Sequence, residues 1–302
     1  MADNIIRFTY TGEEIIPREA NHIFVDAAFV PDGTFEEHPN IIEGVCSERV
    51  KKIEAAAFYN CPNLRRVIMP GVKLVVGSFD NCEALTDVEC SKLEIIKGWA
   101  FAACKSLRNI DLPSARIVDG GAFIDCEALT DVKFGNKLER IEESAFLNCV
   151  SLERITIPLK DGIITHDTIF TECKQLKHVD LVEGDELHDT VAALQLKAWR
   201  NDMNVTIDAI NQILPNARPG YYDDDSYDDD NGEKAQMIRR WIRSVIDKIN
   251  HYKAEHQRIL DEAATTLQCT LPHEIATNNV LTFLELPAHT FERANQEMEE
   301  DH

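Results

Sequence analysis

Hydrophobic positions repeat along the first part of the chain at intervals of 21 to 24 residues. A phenylalanine marks each repeat, and apolar residues follow it after six, nine and eleven positions. An aliphatic residue also lies five positions before six of the phenylalanines, at Val30, Ile53, Leu74, Ile96, Val118 and Ile141. The phenylalanines are Phe35, Phe58, Phe79, Phe101, Phe123, Phe146 and Phe170. Self-similarity at a period of this length is typical of solenoid proteins, in which each repeat forms one structural unit.

Within a repeat, the segment that follows the phenylalanine has the pattern of a short strand. Apolar and polar residues alternate towards its end, as in residues 64–69, which is the period of a β-strand. Pro70, Pro113 and Pro158 close three of these segments, and proline marks the end of a strand because it has no N–H to donate. The other half of the repeat turns back through a loop or a short helical turn. We therefore expect one coil per repeat, with neighbours about 4.8 Å apart.

A cysteine stands three residues after each phenylalanine from the second repeat onward. These residues are Cys61, Cys82, Cys104, Cys126, Cys149 and Cys173. Adjacent coils bring such cysteines close enough for a disulfide or a soft metal. Their single inward repeat position instead favours a role as small buried hydrophobes, and the phenylalanine column is interpreted as core for the same reason. Cys46 and Cys90 fall eleven residues after a phenylalanine and are interpreted in the same way.

The outward strand positions differ from repeat to repeat, in contrast to the inward columns. Eight residues after the phenylalanines lie Arg66, Asp87, Asn109, Asp131, Arg154 and His178. Ten residues after them lie Ile68, Glu89, Asp111, Lys133, Thr156 and Asp180. Neutral drift on a solvated face produces such variety, and so does a recognition surface, because solenoids bind partners along an extended face. These twelve residues are the candidate binding face.

Segments such as AFYNCPNLRRVIMP, AFAACKSLRNIDLP and AFLNCVSLERITIP resemble the repeats of the BspA-like leucine-rich repeat family. The family pattern reads approximately I-x-x-x-AF-x-x-C-x-x-L-x-x-I-x-IP, and the resemblance covers residues 30 to 182. It implies a right-handed coil with a parallel sheet on one face, and a role in protein binding without catalysis. The first repeat departs from the pattern, since His38 replaces the cysteine and Gly44 replaces an aliphatic residue.

The predicted fold is thus an α/β repeat solenoid with a parallel sheet, followed by an α-helical C-terminal region. Residues 1–34 are predicted to cap the solenoid of residues 35–186. Helical spacing then predicts a capping helix over 187–214, and residues 233–302 form a helical region whose long helix runs from about 232 to 268. The two helices either pack as a hairpin or lie across the last coil. Residues 215–232 are predicted to be a disordered acidic linker, since an aspartate-rich stretch cannot bury enough apolar surface.

The expected apolar face of the long helix consists of residues at alternating spacings of three and four. Its members are Ile238, Trp241, Val245, Ile249, Tyr252, Ile259, Ala263 and Leu267.

The net charge of the chain limits the kinds of partner that it is expected to bind. The 302 residues carry 31 Lys and Arg against 53 Asp and Glu, a formal net charge of -22. Such a balance argues against nucleic acid and against an anionic membrane surface as partners. No phosphate-binding, zinc-protease or nucleophile-elbow motif occurs, and His251 and His256 are spaced five apart, which does not place both on one helix face. We therefore expect a non-enzymatic interaction module that binds a protein partner and needs no cofactor or metal.

An alternative function comes from residues 271–287, LPHEIATNNVLTFLELP, which resemble the first helical part of an F-box. That resemblance implies a ubiquitin-ligase substrate adaptor, whereas the plainer interpretation is a capping helix with Pro272 in its first turn. The start, MADNIIRFTY, has no basic stretch followed by a long apolar run. We expect a cytoplasmic location, with the nucleus as the alternative.

Overall fold

A computed structural model describes residues 5–182, 197–214 and 232–268. The chain divides into two compact units. One comprises Met1–Val182 with Ile210–Trp241, and the other comprises Glu183–Ala209 with Ile242–His302.

Fifteen short strands are found among the described residues. They are β1 Arg7–Tyr10, β2 His22–Val25, β3 Phe29–Val30, β4 Glu43–Cys46, β5 Lys52–Ile53, β6 Arg66–Ile68, β7 Leu74–Val75, β8 Asp87–Glu89, β9 Ile95–Ile96, β10 Asn109–Leu112, β11 Ile117–Val118, β12 Asp131–Phe134, β13 Arg140–Ile141, β14 Arg154–Ile157 and β15 His178–Leu181.

These strands form parallel sheets on two sides of a solenoid, which confirms the predicted fold. The front sheet has two parts, with strand orders β1-β2-β4-β6-β8 and β10-β12-β14-β15. The back sheet is continuous, with the order β13-β11-β9-β7-β5-β3. Each coil therefore contributes one front strand and one short back strand. At the ends of the array, the front strands β1, β14 and β15 have no back strand of their own.

The solenoid begins earlier than the repeat columns indicate. Residues 1–34 were predicted to cap the first coil. In the structure β2 pairs in parallel with β4, and β3 pairs in parallel with β5. The segment lacks the marker phenylalanine and cysteine, although Ile23, Val25 and Val30 occupy buried inward positions. β1 adds one further parallel strand to the front sheet.

The phenylalanine column forms a continuous ladder of rings inside the solenoid. Successive rings from Phe35 to Phe170 stack with centroids 4.6 to 5.9 Å apart. Tyr10 packs edge-on against Phe35 at 5.4 Å and closes the ladder at its N-terminal end. No coil could bury its own ring, so each phenylalanine depends on the coils on either side.

The cysteine column is also part of the core, and the structure adds a role to it. Each thiol donates a hydrogen bond to the carbonyl of the phenylalanine in the preceding coil, at 3.0 to 3.3 Å. A small apolar side chain with one weak donor suits this position, because it fills space and satisfies a buried carbonyl. His38 replaces the first cysteine and makes the equivalent contact, with Nε2 lying 3.1 Å from the carbonyl oxygen of Pro17.

The repeat from Phe58 to Phe79 is 21 residues long, against 23 before it and 22 after it, and one residue is lost at the back of the coil. Counting back from Phe79 assigns Leu74 to the inward column, but Val75 is fully buried and pairs with Ile53 and Ile96. That assignment of Leu74 is wrong, because the missing residue lies between the back strand and the phenylalanine. Ser78 is also fully buried there.

The hydroxyl of Ser78 compensates for the shortened backbone. It lies 2.8 Å from the carbonyl oxygen of Glu54, 3.1 Å from that of Ile53 and 3.0 Å from that of Val76. The equivalent position in four other coils is alanine, at Ala57, Ala100, Ala122 and Ala145. The hydroxyl also accepts the Val76 N–H at 3.2 Å, so serine links the shortened turn to the preceding coil where alanine could not.

Each coil bends at two residues with left-handed backbone conformation, placed two before and two after the phenylalanine. The second set is rich in asparagine and aspartate, which tolerate this conformation best among residues other than glycine. Asn81 donates to Asn60 and Asn148 donates to Asp125, both at 2.7 Å. The first set consists of Gly33, Ala56, Gly77, Trp99, Gly121 and Ser144.

The last coil is closed by segments that return to it from later in the chain. Its turn includes a short 3₁₀ helix, Asp167–Phe170. The described helices are α1 Lys197–Asp208, α2 Ile210–Ile213 and α3 Glu233–Gln268. Asn211 in α2 accepts the backbone N–H of Val179 in β15 at 2.9 Å, and Lys234 in α3 donates to the carbonyl of Leu176 at 2.8 Å.

The helix predicted over 187–214 is interrupted within its described part. A turn at Ala209 separates α1 from α2, and the two helices belong to different units. The acidic linker, apart from Gly232, lies outside the described residues. So do residues 187–196 and the F-box-like segment 271–287.

In the second unit, α1 packs against α3 around a polar cluster. The Trp199 and Tyr252 rings stack at 5.1 Å, and Lys248 contacts Asp202 at 2.8 Å. A hydrogen bond to Asp202 raises the pKa of Tyr252 to about 12. Ile259, predicted on the buried face, is instead 40% exposed. The twelve residues of α1 span about 18 Å, whereas the 36 residues of α3 span about 54 Å, so α1 cannot cover the whole helix.

Candidate binding face on the front sheet

The twelve sequence-predicted residues all lie on front strands, and strand register arranges them in two rows. The first row runs through Arg66, Asp87, Asn109, Asp131, Arg154 and His178. The second runs through Ile68, Glu89, Asp111, Lys133, Thr156 and Asp180. Both rows are interrupted between β8 and β10, because these two strands are not paired. The prediction that they form a binding face stays a prediction, since alignment on one side does not establish binding.

Charged side chains at the N-terminal end of the first row form a network. Arg66 contacts Asp87 at 3.1 Å, Glu43 at 3.9 Å and Glu89. The hydrogen bond to Glu89 raises the pKa of Arg66 above its usual range. His22 continues the network, with Nε2 lying 3.9 Å from Glu43. These pairs orient charged groups on the face, although exposed ion pairs contribute little to stability.

An apolar strip lies beside this network, and sequence reasoning found only its last member. Phe24 pairs with Val45, and Val45 pairs with Ile68, so the three outward side chains lie next to one another on β2, β4 and β6. Phe24 is 43% exposed. The first two were missed because residues 1–34 were assigned to a cap and the first repeat was treated as degenerate. Their signal was the alternation in HIFV and EGVC, which is typical of strands.

The strip leads to a cleft where the front sheet is interrupted. The cleft has a volume of about 400 Å³. Its lining consists of Ile68, Pro70, Val88, Glu89, Cys90, Ser91, Asp111 and Pro113. The Cys90 thiol bridges β8 and β10 through a contact of 3.7 Å to the carbonyl oxygen of Asp111. The cleft therefore combines apolar walls with two carboxylates at its edge.

The C-terminal part of the face is more polar. Arg154 pairs with Asp180, and the Thr130 hydroxyl lies 3.3 Å from Asn109 Oδ1. Register places Asp131 between Asn109 and Arg154. Among the described residues, Asp131 Oδ1 is the one buried side-chain oxygen without a hydrogen-bond partner. This half of the face therefore presents polar side chains held by ion pairs and hydrogen bonds, whereas the N-terminal half presents an apolar strip.

The described residues provide no arrangement suited to metal chemistry. All eight cysteines among them are free and buried. Burial raises the pKa of Cys46, Cys90 and Cys126 to about 12, which keeps these thiols protonated. Within the same part of the chain, no three His, Cys, Asp or Glu side chains converge as metal ligands would. None of the described helices combines the length and apolar character needed to cross a membrane.

A family model for the BspA type leucine rich repeat region matches residues 28–118 and 114–191, with six copies of the repeat. The match covers more than half of the chain. The protein belongs to the BspA-type leucine-rich repeat family. This confirms the resemblance found in the repeat columns. The matched span begins at residue 28, close to the coil formed by β2 and β3.

Solved leucine-rich repeat structures are similar to parts of this BspA-type chain. The leucine-rich repeat protein of T. pallidum is 29% identical, with a TM-score of 0.43, and the alignment covers 46% of this chain and 69% of that one. A leucine-rich cell surface protein from Faecalibacterium prausnitzii is 17% identical, with a TM-score of 0.28 and coverage of 55% and 61%. A leucine-rich repeat protein from Bacteroides ovatus is 19% identical, with a TM-score of 0.32 and the same coverage. The chain thus spans less than two thirds of the latter two proteins. No curated protein sequence matches it.

Membership of the BspA-type family sets the class of function. Leucine-rich repeat proteins are generally protein-interaction modules and are typically not enzymes. The matched region ends at residue 191, so it does not include the F-box-like segment.

Proposed function

We propose that this protein is a non-enzymatic interaction module that binds a protein partner through its front sheet. The observation that carries the proposal is the apolar strip of Phe24, Val45 and Ile68, which leads into the cleft between β8 and β10. Hydrophobic side chains on an outward sheet face lose contact with water only when a partner covers them. The strip supplies the apolar centre of the interface.

The surrounding polar groups match the anatomy of protein interfaces, in which a polar rim surrounds an apolar centre. The Arg66 network borders the strip, and Glu89 and Asp111 lie at the edge of the cleft. The remaining predicted residues extend the face along β10, β12, β14 and β15. We propose that they contribute to specificity, since charge pairs at a rim govern partner choice more than affinity.

The chain offers a matched pair of residues for the test. Phe24 on the front sheet is 43% exposed, and Phe29 on the back sheet is 49% exposed, so the same substitution compares the two faces. The wild-type chain, Phe24→Asp and Phe29→Asp would each be immobilised and exposed to a native extract. Retained proteins would be quantified by mass spectrometry, and those lost with one variant would be purified and tested for direct binding.

We expect one or more proteins to be retained by the wild type and by Phe29→Asp but not by Phe24→Asp. Circular dichroism would show that both variants are folded, because substitutions at exposed positions usually change stability by less than about 0.5 kcal/mol. If Phe24→Asp retains every protein that the wild type retains, the front strip is not the binding surface. We further propose a cytoplasmic location, which the eight free, buried cysteines support because a reducing compartment keeps thiols unpaired.

A further inference from the structure

Trp99 has a conformation and an exposure that the fold does not require. It occupies one of the left-handed positions two residues before the phenylalanine, with φ of 64°. Glycine, alanine or serine fills this position in the other five coils that bend there. A bulky side chain in this region costs of the order of 1–2 kcal/mol, and Trp99 recovers little by burial because it is 59% exposed.

The surroundings of Trp99 leave its indole accessible. A Cβ atom on Gly121 in the next coil would lie 3.7 Å from Trp99 Nε1, so the indole extends over that glycine. A Cβ on the adjacent Gly120 would lie 3.5 Å from Glu143 Cγ in the following coil. The indole and the Glu143 side chain therefore both lie next to the Gly120–Gly121 dipeptide. Neither glycine adds a side chain that would fill the space between them.

Glu143 is exposed, and its carboxylate forms no hydrogen bond or ion pair with any other described side chain. Neighbouring charges on this side are paired with one another, as in Lys97 with Asp119 at 2.9 Å and Arg140 with Glu142 at 2.6 Å. An exposed indole and a carboxylate without a side-chain partner are therefore found near the same two glycines. This arrangement leaves one negative charge available to a ligand.

We propose that Trp99 and Glu143 form a second docking site, which binds an arginine side chain on a basic segment of a partner protein. A guanidinium group stacks on the indole face and donates hydrogen bonds to a carboxylate at the same time. The net charge of -22 favours the approach of a basic partner. The site lies at the turn after the back sheet, and it goes beyond the front-sheet interaction proposed above.

The probe is the peptide acetyl-Gly-Arg-Arg-Gly-amide, with a citrulline peptide as the uncharged analogue. Binding to the full chain is followed by the NMR signal of the Trp99 indole N–H, and Trp199 and Trp241 serve as internal references. We expect the arginine peptide to shift the Trp99 signal saturably and the citrulline peptide to leave it unchanged. No shift, or an equal shift with both peptides, would overturn the proposal.

Matched variants separate this site from general attraction to an acidic protein. Glu143→Gln should weaken binding about two- to fivefold, as expected for one exposed ion pair. Glu153→Gln removes the same charge from the same coil at another exposed position and should have no effect. Equal weakening by both variants would mean that net charge alone attracts the peptide. Phe24→Asp should leave peptide binding unchanged, so the outcome is independent of the front-sheet proposal.

Trp99→Gly provides the remaining control, and it is followed by urea unfolding and by peptide titration monitored at neighbouring backbone amides. We expect binding to be lost while the urea midpoint stays the same or rises, because glycine adopts the left-handed conformation without strain. A fall in the midpoint would show that Trp99 is present for packing. Retained binding would show that the indole is not part of the site.

Discussion

Neighbouring coils are hydrogen-bonded differently on the two sides of the solenoid. The back sheet is continuous over six short strands, whereas the front sheet is divided between β8 and β10 although its strands are longer. The phenylalanine ladder continues across the division, with the rings of Phe79 and Phe101 stacked at 5.3 Å. Backbone hydrogen bonds between the turns also continue, as from the Phe79 N–H to the Ala100 carbonyl at 2.9 Å. Continuity of the array therefore depends on the core, the back sheet and the turns, and the front sheet is free to open a cleft.

This difference explains why the front sheet carries the proposed binding face. A strand that is not required to hold the next coil can vary its outward residues and its spacing. The back strands are only two residues long, and the hydrogen bonds between them, together with the ring ladder, keep the coils in register.

The largest expected effect comes from Phe101→Ala, which removes a ring beside the division of the front sheet. Loss of a packed phenylalanine costs about 3–5 kcal/mol. Because β8 and β10 are not paired and the two parts of the front sheet are not joined there, the two halves should also unfold less cooperatively. Urea unfolding should show a lower midpoint and a shallower or two-step transition.

Phe146→Ala is the control for that change, since its coil is paired in the front sheet through β12 and β14. It should lose similar stability while keeping a single transition. If both variants unfold in one equally steep step, the division of the front sheet has no energetic consequence.

A smaller effect is expected for Ser78→Ala on the back of the shortened coil. The substitution removes the buried hydroxyl's hydrogen bond to the preceding coil and its contact with the Val76 N–H, which costs about 1–3 kcal/mol in thermal or urea unfolding. Ser91→Ala, at an exposed position of the same coil, should change stability by less than about 0.5 kcal/mol. Equal effects of the two variants would show that the Ser78 hydroxyl does not support the shortened turn.

The thiols of the cysteine column should be unreactive while the protein is folded. Burial raises the pKa of Cys126 to about 12, so raising the pH to 9 forms almost no thiolate at this position. A thiol reagent should therefore label none of the eight described cysteines in the native protein, and all of them in denaturant. Mass spectrometry of peptides identifies the labelled sites. Labelling of native Cys126 at a rate near that of the unfolded chain would contradict the core assignment.

The smallest effect is one of local opening, without a change in global stability. Backbone amides of β10 should exchange with solvent about tenfold or more faster than those of β9 and β11, because an unpaired strand edge opens more easily. Hydrogen exchange followed by NMR measures each amide. Equal protection on both sides of the solenoid would mean that the division does not loosen the front sheet.

The sequence predicts the core well because identical inward residues recur in every coil. It fails where a coil fulfils the same physical role with different residues. His38 makes the carbonyl contact of a cysteine, and β2 is a front strand that no marker phenylalanine precedes. Leu74 was misassigned because a count of residues does not show on which side of a back strand one residue was lost.

The candidate face was predicted only in part for a related reason. Variable outward positions identify a surface, but they do not show which neighbours it includes. Phe24 and Val45 became part of the face only when register aligned them with Ile68. The division between β8 and β10 has no signature in the repeat columns, because both strands carry the same alternation as the others.

The closure of the last coil also bears on self-assembly. A stack of parallel strands has two unlike ends, so an open β15 would offer a template to the β1 end of another copy. Such head-to-tail contacts do not close on themselves and generate filaments. Asn211 accepts the Val179 N–H, a strand group that a following coil would otherwise use. This contact covers part of the open edge of β15 and so disfavours the addition of another copy there.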